Sequence, residues 1–200
     1  MKNIGQLNTI TNIEKTCINI EDTAAVNKFA TDLAIRLKRF AVRPESPKVL
    51  LCIGTDRSTG DCLGPLVGSI IDSGDQDFYI VYGTLEKPIH ASNLRETIEE
   101  IQKNYQDPFV IAIDASLGKL ENVGYVNLGD GSLLPGAGVN KNLPPVGQIH
   151  ITGIVNIGGF MEYLVLQNTR LNLVMRIADV IANGLKRAIP EYKKINAWGL

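Results

Sequence analysis

The amino-acid sequence predicts an α/β fold, a three-layer sandwich in which helices flank a mostly parallel, twisted sheet. Val49–Ile53 and Phe109–Ile113 are short, continuously apolar runs, as expected for parallel strands that are covered on both faces. Segments with apolar residues at helical spacing lie between such runs along the chain. This alternation of strand and helix is typical of a parallel sheet with helices on its faces.

Length and composition are consistent with one domain that spans residues 1–200. The chain has 200 residues, of which 44% are hydrophobic, and this is enough to bury a substantial core. Residues 1–20 mix polar and apolar side chains without a clear period. They are interpreted either as a short strand or as a loosely attached arm.

Helical spacing predicts one helix before the first apolar strand and another directly after it. Apolar residues up to Phe40 recur at helical positions, and Asp22 or Thr23 is the expected N-terminal cap. After the strand, Gly64-Pro65 indicates the start of a short helix, because proline is favoured at the first helical position.

Three more helices are predicted further along the chain. Asn93-Leu-Arg-Glu96 has the pattern of a capping box, which places a helix start there. Helices are also expected at Phe160–Gln167 and Thr169–Ile189. Pro190 is expected to end the last of them, because proline lacks the amide hydrogen that a helix interior requires.

Further strands are expected at Phe78–Tyr82, Val123–Leu128 and Ile149–Val155. Between the last two lies Gly129–Gly147, a segment rich in glycine and proline. It is too long for an ordinary connection between strands. We therefore interpret it as a functional loop that borders a substrate groove.

Composition argues against several functional classes. The net charge is −1 and the charges are interspersed, so nothing points to a nucleic-acid partner. The first residues lack the apolar core of a signal peptide, and the longest uncharged stretch, Asn142–Met161, contains prolines and glycines that argue against a membrane span. The three cysteines have no metal-ligand spacing, which suits a reducing compartment. The sequence therefore predicts a cytoplasmic protein that binds neither nucleic acid nor membrane.

Two aspartates at strand ends are the strongest functional signal. Asp61 lies in the loop after the first apolar strand, and Asp114 directly follows Phe109–Ile113. In open α/β sheets, functional residues gather at the carboxyl ends of the strands, and neighbouring strands are about 4.8 Å apart. We therefore expect the two carboxyl groups to share one cleft.

Two close carboxyl groups are suited to hydrolysis. They cannot both ionise readily, so they share one proton and their pKa values separate. One can then activate water while the other protonates the leaving group. Asp61 is the expected anionic member, because a helix begins near Pro65. The structural alternative is that each aspartate only accepts hydrogen bonds from nearby backbone amides.

Four other residues are predicted to bind substrate: Gly54, Asp56, Arg57 and Ser116. The glycine-rich loop that begins at Gly54 precedes a helix start, a geometry suited to anions, but it lacks the lysine of a phosphate-binding P-loop. Arg57 is placed to bind a substrate carboxylate or to neutralise Asp56. Solvated surface charge is the alternative interpretation for both charged residues.

The two histidines allow other chemistries. His150 lies in an apolar, alternating segment and is either an ordinary strand histidine or, with Asp61 and Asp114, a ligand of a divalent transition metal. Cys62 is either a packing residue or a nucleophile with His150 as its base. His90 stands at a junction between loop and helix and is interpreted as polar support.

Three segments together resemble one protein family. Cys52–Pro65, Tyr82–Ala91 and Ala112–Gly118 are similar to the motifs of the YyaC-type spore proteases. Those proteins are related to the germination protease of endospore formers, which degrades small acid-soluble spore proteins, and more widely to the hydrogenase maturation proteases. The resemblance implies their α/β fold and a catalytic dyad of Asp61 and Asp114, the arrangement of an atypical aspartic peptidase.

The same resemblance implies two further properties. In hydrogenase maturation proteases the corresponding acids, with a histidine further along the chain, bind nickel in the substrate, and His150 lies in roughly that region of this sequence. The germination protease self-assembles, so a homo-oligomer is expected here as well.

Three functions follow from these observations. The first is a cytoplasmic, sporulation-linked peptidase that uses Asp61 and Asp114 on a protein or peptide substrate and needs no cofactor. The second is a maturation-type protease in which Asp61, Asp114 and His150 hold a divalent metal. The third is a spore protein of the same fold that binds a peptide or partner without cutting it.

Overall fold

The computed structural model of the protein describes residues 15–135 and 143–197. Within these ranges, strands form a six-stranded sheet in the order β1-β5-β6-β4-β2-β3. The strands are β1 (Lys15–Asn19), β2 (Lys48–Cys52), β3 (Ile80–Tyr82), β4 (Phe109–Gly118), β5 (Tyr125–Asp130) and β6 (Ile149–Ile157). β3, β2, β4 and β6 are mutually parallel, and β5 is antiparallel to both β6 and β1. The predicted α/β fold with a mostly parallel sheet is therefore confirmed.

Helices cover both faces of this sheet. They are α1 (Ala25–Arg39), α2 (Leu63–Asp72), α3 (Leu94–Asn104), α4 (Glu162–Gln167) and α5 (Leu171–Ala197), with a short 3-10 helix at Leu120–Asn122. α1, α2 and α5 share a core with Leu50 and Cys52 of β2, whereas α3 packs with Val49 and Leu51 on the opposite face. Successive side chains of a strand point to opposite faces. Strand β2 is therefore apolar throughout because both of its faces are buried.

Strand β4 is longer than predicted, and this changes the position of Asp114. Pairing between β2 and β4 ends at Cys52 and Ile113, but β4 continues alongside β6 as far as Gly118. Asp114 therefore lies within a strand and not after its end. The continuous apolar run ends at Ile113 because β2 no longer pairs with β4 beyond this residue. On its other side, β4 continues to pair with β6.

The prediction that Pro190 ends the last helix was wrong. Helix α5 continues through Pro190 to Ala197. Beyond the proline, Tyr192 is 1% exposed and its hydroxyl donates a hydrogen bond of 2.5 Å to the carbonyl of Val42. A proline in a helix interior removes one backbone hydrogen bond, and the burial of Tyr192 offsets that loss.

The side-chain capping hydrogen bonds predicted for two helices are not formed. Asp22 accepts a hydrogen bond from the Ala24 amide (2.8 Å) in the turn before α1, and the start of α1 has no side-chain cap. Asn93 is the N-cap residue of α3, as predicted, but its side chain makes no capping hydrogen bond. Its Oδ1 accepts a hydrogen bond from the His90 amide (2.8 Å), and so Asn93 fixes the loop that carries His90.

Residues 1–20 and the segment Gly129–Gly147 lie partly outside the described residues. Lys15–Asn19 forms an edge strand against β5, while residues 1–14, where a loose arm is the alternative, are outside the described ranges. The Gly129–Gly147 segment begins as part of β5, and residues 136–142 of it are likewise outside. The described ends of this segment are joined by backbone hydrogen bonds of 2.8 and 2.9 Å between Leu133 and Val146.

Candidate active site

The order of the strands creates a crevice at the carboxyl ends of β2 and β4. From β2 the chain passes to β3 on one side, whereas β4 lies on the other side of β2. Connections that leave two adjacent parallel strands in opposite directions open a crevice between their carboxyl ends, and ligands commonly bind there. Both predicted catalytic aspartates belong to the segments that flank this crevice.

The loop after β2 folds back closely onto the strand that precedes it. A Cβ atom on Gly54, where φ is +144°, would lie 1.9 Å from the carbonyl oxygen of Asp61, and one on Gly64 would lie 2.1 Å from that of Ile53. Only glycine permits such backbone approaches. The Thr55 amide donates to the same Asp61 carbonyl (3.1 Å). These contacts hold Asp61 above the end of β2, immediately before α2.

Asp114 is the more deeply buried of the two acids. Asp114 is 8% exposed, and its Oδ1 accepts a hydrogen bond from the Ala115 amide (2.8 Å). Burial, and next the negative charge of Asp61, raise the pKa of Asp114 well above its usual value, while the Ala115 amide opposes this rise. The two carboxyl groups therefore interact electrostatically within one site.

The pKa of Asp61 is shifted by a different set of neighbours. Burial raises the pKa of Asp61, and the nearby His90 opposes that rise. No hydrogen bond from the described residues reaches the carboxylate of Asp61, so the alternative that it caps the amides of α2 is not what the structure shows. The pKa of Asp114 is raised more strongly than that of Asp61, so Asp61 is the acid that ionises more readily.

The acids open into a cleft with a volume of about 890 Å³. Of the predicted substrate-binding residues, Gly54, Arg57 and Ser116 line it with both aspartates. Asp56 does not line the cleft. Its carboxylate is exposed and lies 3.5 Å from the Thr55 hydroxyl, which fits the interpretation of Asp56 as solvated surface charge.

His90 is a cleft residue that the sequence interpretation undervalued. It lines the cleft beside Asp61, and its Nδ1 lies 2.8 Å from the Ser92 hydroxyl. Gly54 donates its amide hydrogen to the carbonyl of Ile89 (2.7 Å), so the loop that carries His90 is held next to the first acidic loop. A signal was available, because His90 follows β3 and so belongs to the same edge of the sheet.

His150 is not placed as a third ligand. Its Nδ1 lies 3.1 Å from the carbonyl oxygen of Gly131, and its ring packs over Gly129. It pairs with Ala112, two residues before Asp114 along β4. Within residues 15–135 and 143–197, no three His, Cys, Asp or Glu side chains are grouped to hold a metal ion. The predicted ligand set of Asp61, Asp114 and His150 is therefore not assembled, and these donors do not fit a resident metal.

Cys62 does not form a nucleophile–base pair with His150. Its Sγ is 2.9 Å from the Thr59 carbonyl, and burial raises the pKa of the Cys62 thiol. A thiol that is harder to ionise is a poorer nucleophile. Cys62 is thus a packing residue at the start of α2, in agreement with the alternative interpretation.

The fold and the cleft define a class: an α/β protein with a buried acid pair at the carboxyl edge of a parallel sheet. The chain belongs to the family described as "Protein of unknown function (DUF1256)", which matches residues 17–184. It is 53% identical over 171 residues to the protein described as "Uncharacterized protein YyaC" of Bacillus subtilis (strain 168), a match that covers 86% of this chain and 82% of that protein.

Among solved structures, the chain is similar to the [NiFe] hydrogenase maturation protease HycI from Thermococcus kodakarensis KOD1. The TM-score is 0.45 at 16% sequence identity, and the match covers 76% of this chain and 99% of that one. No helix in the described ranges is long and apolar enough to cross a membrane.

Proposed function

We propose that this protein is a sporulation-linked cytoplasmic peptidase in which Asp61 and Asp114 act as a general base and a general acid. The observation that carries the proposal is the environment of Asp114, a cleft carboxyl group whose pKa burial and the charge of Asp61 raise well above its usual value. The similarity of the motifs around both aspartates to those of the germination protease supports the sporulation-linked class of substrate. The free state of Cys17, Cys52 and Cys62 supports a reducing compartment.

The proposed reaction needs only water and a peptide bond. Ionised Asp61 takes a proton from a water molecule, and the water oxygen forms a bond to the carbonyl carbon of the substrate. Asp114 gives its proton to the amide nitrogen, and the carbon–nitrogen bond breaks. The products are a carboxylic acid and an amine. Asp61 then holds the proton that Asp114 has lost, and transfer between the two carboxyl groups or through solvent restores the starting state.

Other cleft residues are proposed to hold the substrate. Gly54, Arg57 and Ser116 line the cleft, and Arg57 is exposed, so its guanidinium group can bind an acidic group of the substrate. His90 is proposed to keep Asp61 ionised through its positive charge. Asp56 is not included, because it does not line the cleft.

The proposal is tested by replacing each acid with its uncharged isostere. Asp61→Asn and Asp114→Asn should each reduce cleavage at least about 10³-fold, within the range that general acid–base catalysis contributes. Asp56→Asn is the matched control, an acid of the same loop outside the cleft, and should cleave at the wild-type rate. Cleavage is followed by mass spectrometry on small acid-soluble spore proteins. Wild-type rates in either cleft variant would exclude this mechanism.

A non-catalytic peptide-binding protein is the second candidate, and one observation favours it. Leu134 and Tyr163 line the cleft and are 64% and 61% exposed, so apolar surface is available to bind a chain whether or not the acids react. Saturable peptide binding by the wild type without any turnover would assign the protein to this class.

A further inference from the structure

One edge of β4 is unpaired beside the two acids. The last contact on this side is the hydrogen bond from the Ile53 amide to the Ile113 carbonyl (2.7 Å), after which Gly54 bonds to Ile89 and the chain turns away. Strand β4 nevertheless continues to Gly118, paired with β6 on its other side alone. Residues 115–118 are all partly exposed. A strand edge of this kind is a template for another strand.

The backbone groups on this edge can be assigned from the alternation of a strand. Successive residues direct their amide and carbonyl groups to opposite sides. Because the Ile113 carbonyl points toward β2, those of Ala115 and Leu117 point the same way. The Ala115 amide is occupied by Asp114 Oδ1. No hydrogen bond from the described ranges reaches the Ala115 carbonyl or the Leu117 amide and carbonyl from this side.

The walls of the cleft fit the two side-chain rows of an added strand. Leu166 of α4 packs with the core on the α1, α2 and α5 face, and Tyr163 lies three residues before it on the same helix. Leu133 packs with the core on the α3 face, followed by Leu134. All four line the cleft. Alternate side chains of a strand point to opposite faces, so each row of a strand in this position would meet one apolar wall.

We propose that an extended peptide segment binds as an added strand along Asp114–Gly118 of β4, in the position that β2 vacates. Backbone hydrogen bonds to the Ala115 carbonyl and the Leu117 amide hold it. Its side chains point alternately toward the wall of α4 and toward the wall formed by Leu133 and Leu134. This binding mode rests on the proposed peptidase function, because it draws the peptide backbone past Asp114 and Asp61. It names the substrate class as unfolded or extended segments with apolar side chains.

The test measures whether binding depends on alternate backbone amides of the peptide. Binders are selected from a synthetic library of random dodecapeptides with the full-length Asp61→Asn protein, which retains the β4 edge but does not cleave. Each selected peptide is then remade with single backbone N-methyl groups. Strand addition predicts that methylation at every second residue weakens binding about ten-fold, the value of one hydrogen bond of typical strength, while the residues between tolerate it.

Hydrogen exchange supplies an independent readout on the protein. The Leu117 amide should exchange more slowly when a selected peptide is bound. The Ser116 amide points toward β6 and serves as the internal control, with little change. Selected peptides that show neither the two-residue period nor slower exchange at Leu117 would overturn strand addition, and so would the absence of binders at about 1 mM peptide.

The outcomes separate this inference from the proposed function. Cleavage of the selected peptides by the wild type without a two-residue period would retain the peptidase and overturn strand addition. A two-residue period without any cleavage would support strand addition and overturn the peptidase. Slower Leu117 exchange that depends on protein concentration without peptide would assign the edge to a second copy of this chain and overturn the peptide proposal.

Discussion

Two groups of acids lie at opposite ends of the sheet, and they differ in how their charge is compensated. At the end where β5 finishes and β6 begins, Arg36 is 1% exposed and binds Asp32 at 2.7 Å and Asp130 at 2.5 Å. Arg39 also binds Asp130. These contacts tie α1 to the edge of the sheet, and each of these buried or half-buried charges has a partner of opposite sign.

At the other end, Asp61 and Asp114 line one cleft without such a partner. No salt bridge among the described residues includes either of them, and His90 is the neighbour that lowers the pKa of Asp61. Burial of uncompensated charges of the same sign destabilises a folded protein. Such a pair therefore indicates a requirement other than stability. Compensated acids thus mark a structural role in this fold, whereas uncompensated acids mark the candidate active site.

The largest effect on stability is expected at the compensated end. Arg36→Met should lower the free energy of unfolding by roughly 3–5 kcal/mol, because it leaves the charges of Asp32 and Asp130 without their buried partner. Arg39→Met is the matched control, since the Arg39 side chain is 41% exposed, and it should cost about 1 kcal/mol or less. Urea unfolding measures both. Equal losses in the two variants would contradict the distinction between a buried and a surface ion pair.

An opposite and smaller effect is expected at the uncompensated end. Asp114→Asn should raise the free energy of unfolding at pH 7 on the order of 1 kcal/mol, since a raised pKa makes ionisation harder in the folded protein than in the unfolded chain. The wild type loses stability as pH rises from about 3.9, the pKa of unfolded aspartate, toward the higher folded pKa. The gain in the stability of the variant should therefore vanish below about pH 3.9. Thermal melts from pH 3 to pH 8 measure it, and a less stable variant at pH 7 would count against this reading of the site.

The smallest effect concerns the pH dependence of cleavage. Activity should require ionised Asp61 and protonated Asp114, so the acidic limb of the kcat/KM profile reports Asp61 and the alkaline limb reports Asp114. His90→Gln removes the positive charge that lowers the pKa of Asp61 and should move the acidic limb upward by less than about one pH unit. Ser92→Ala keeps the imidazole and should leave that limb closer to the wild type. An acidic limb that moves downward would rule out this role for His90.

Prediction from the sequence succeeded where local pattern and burial coincide. The apolar runs of β2 and β4 are buried on both faces, so their composition alone indicates parallel strands. Asp61 and Asp114 line one cleft, as expected, although Asp114 lies within β4, where its pairing with β2 ends. It failed where a distant contact overrides the local signal, as in the continuation of α5 past Pro190 through Tyr192.

The amino-acid order determined the class of fold and where the apolar runs of β2 and β4 end, since strand periodicity and composition are local properties. Three features depended on packing between remote segments: the position of His90 beside Asp61, the separation of His150 from the acids, and the free edge of β4 beyond Ile113. The physical reason is that strand order and relative strand length are set by burial summed over the whole sheet. No short stretch of sequence contains that sum.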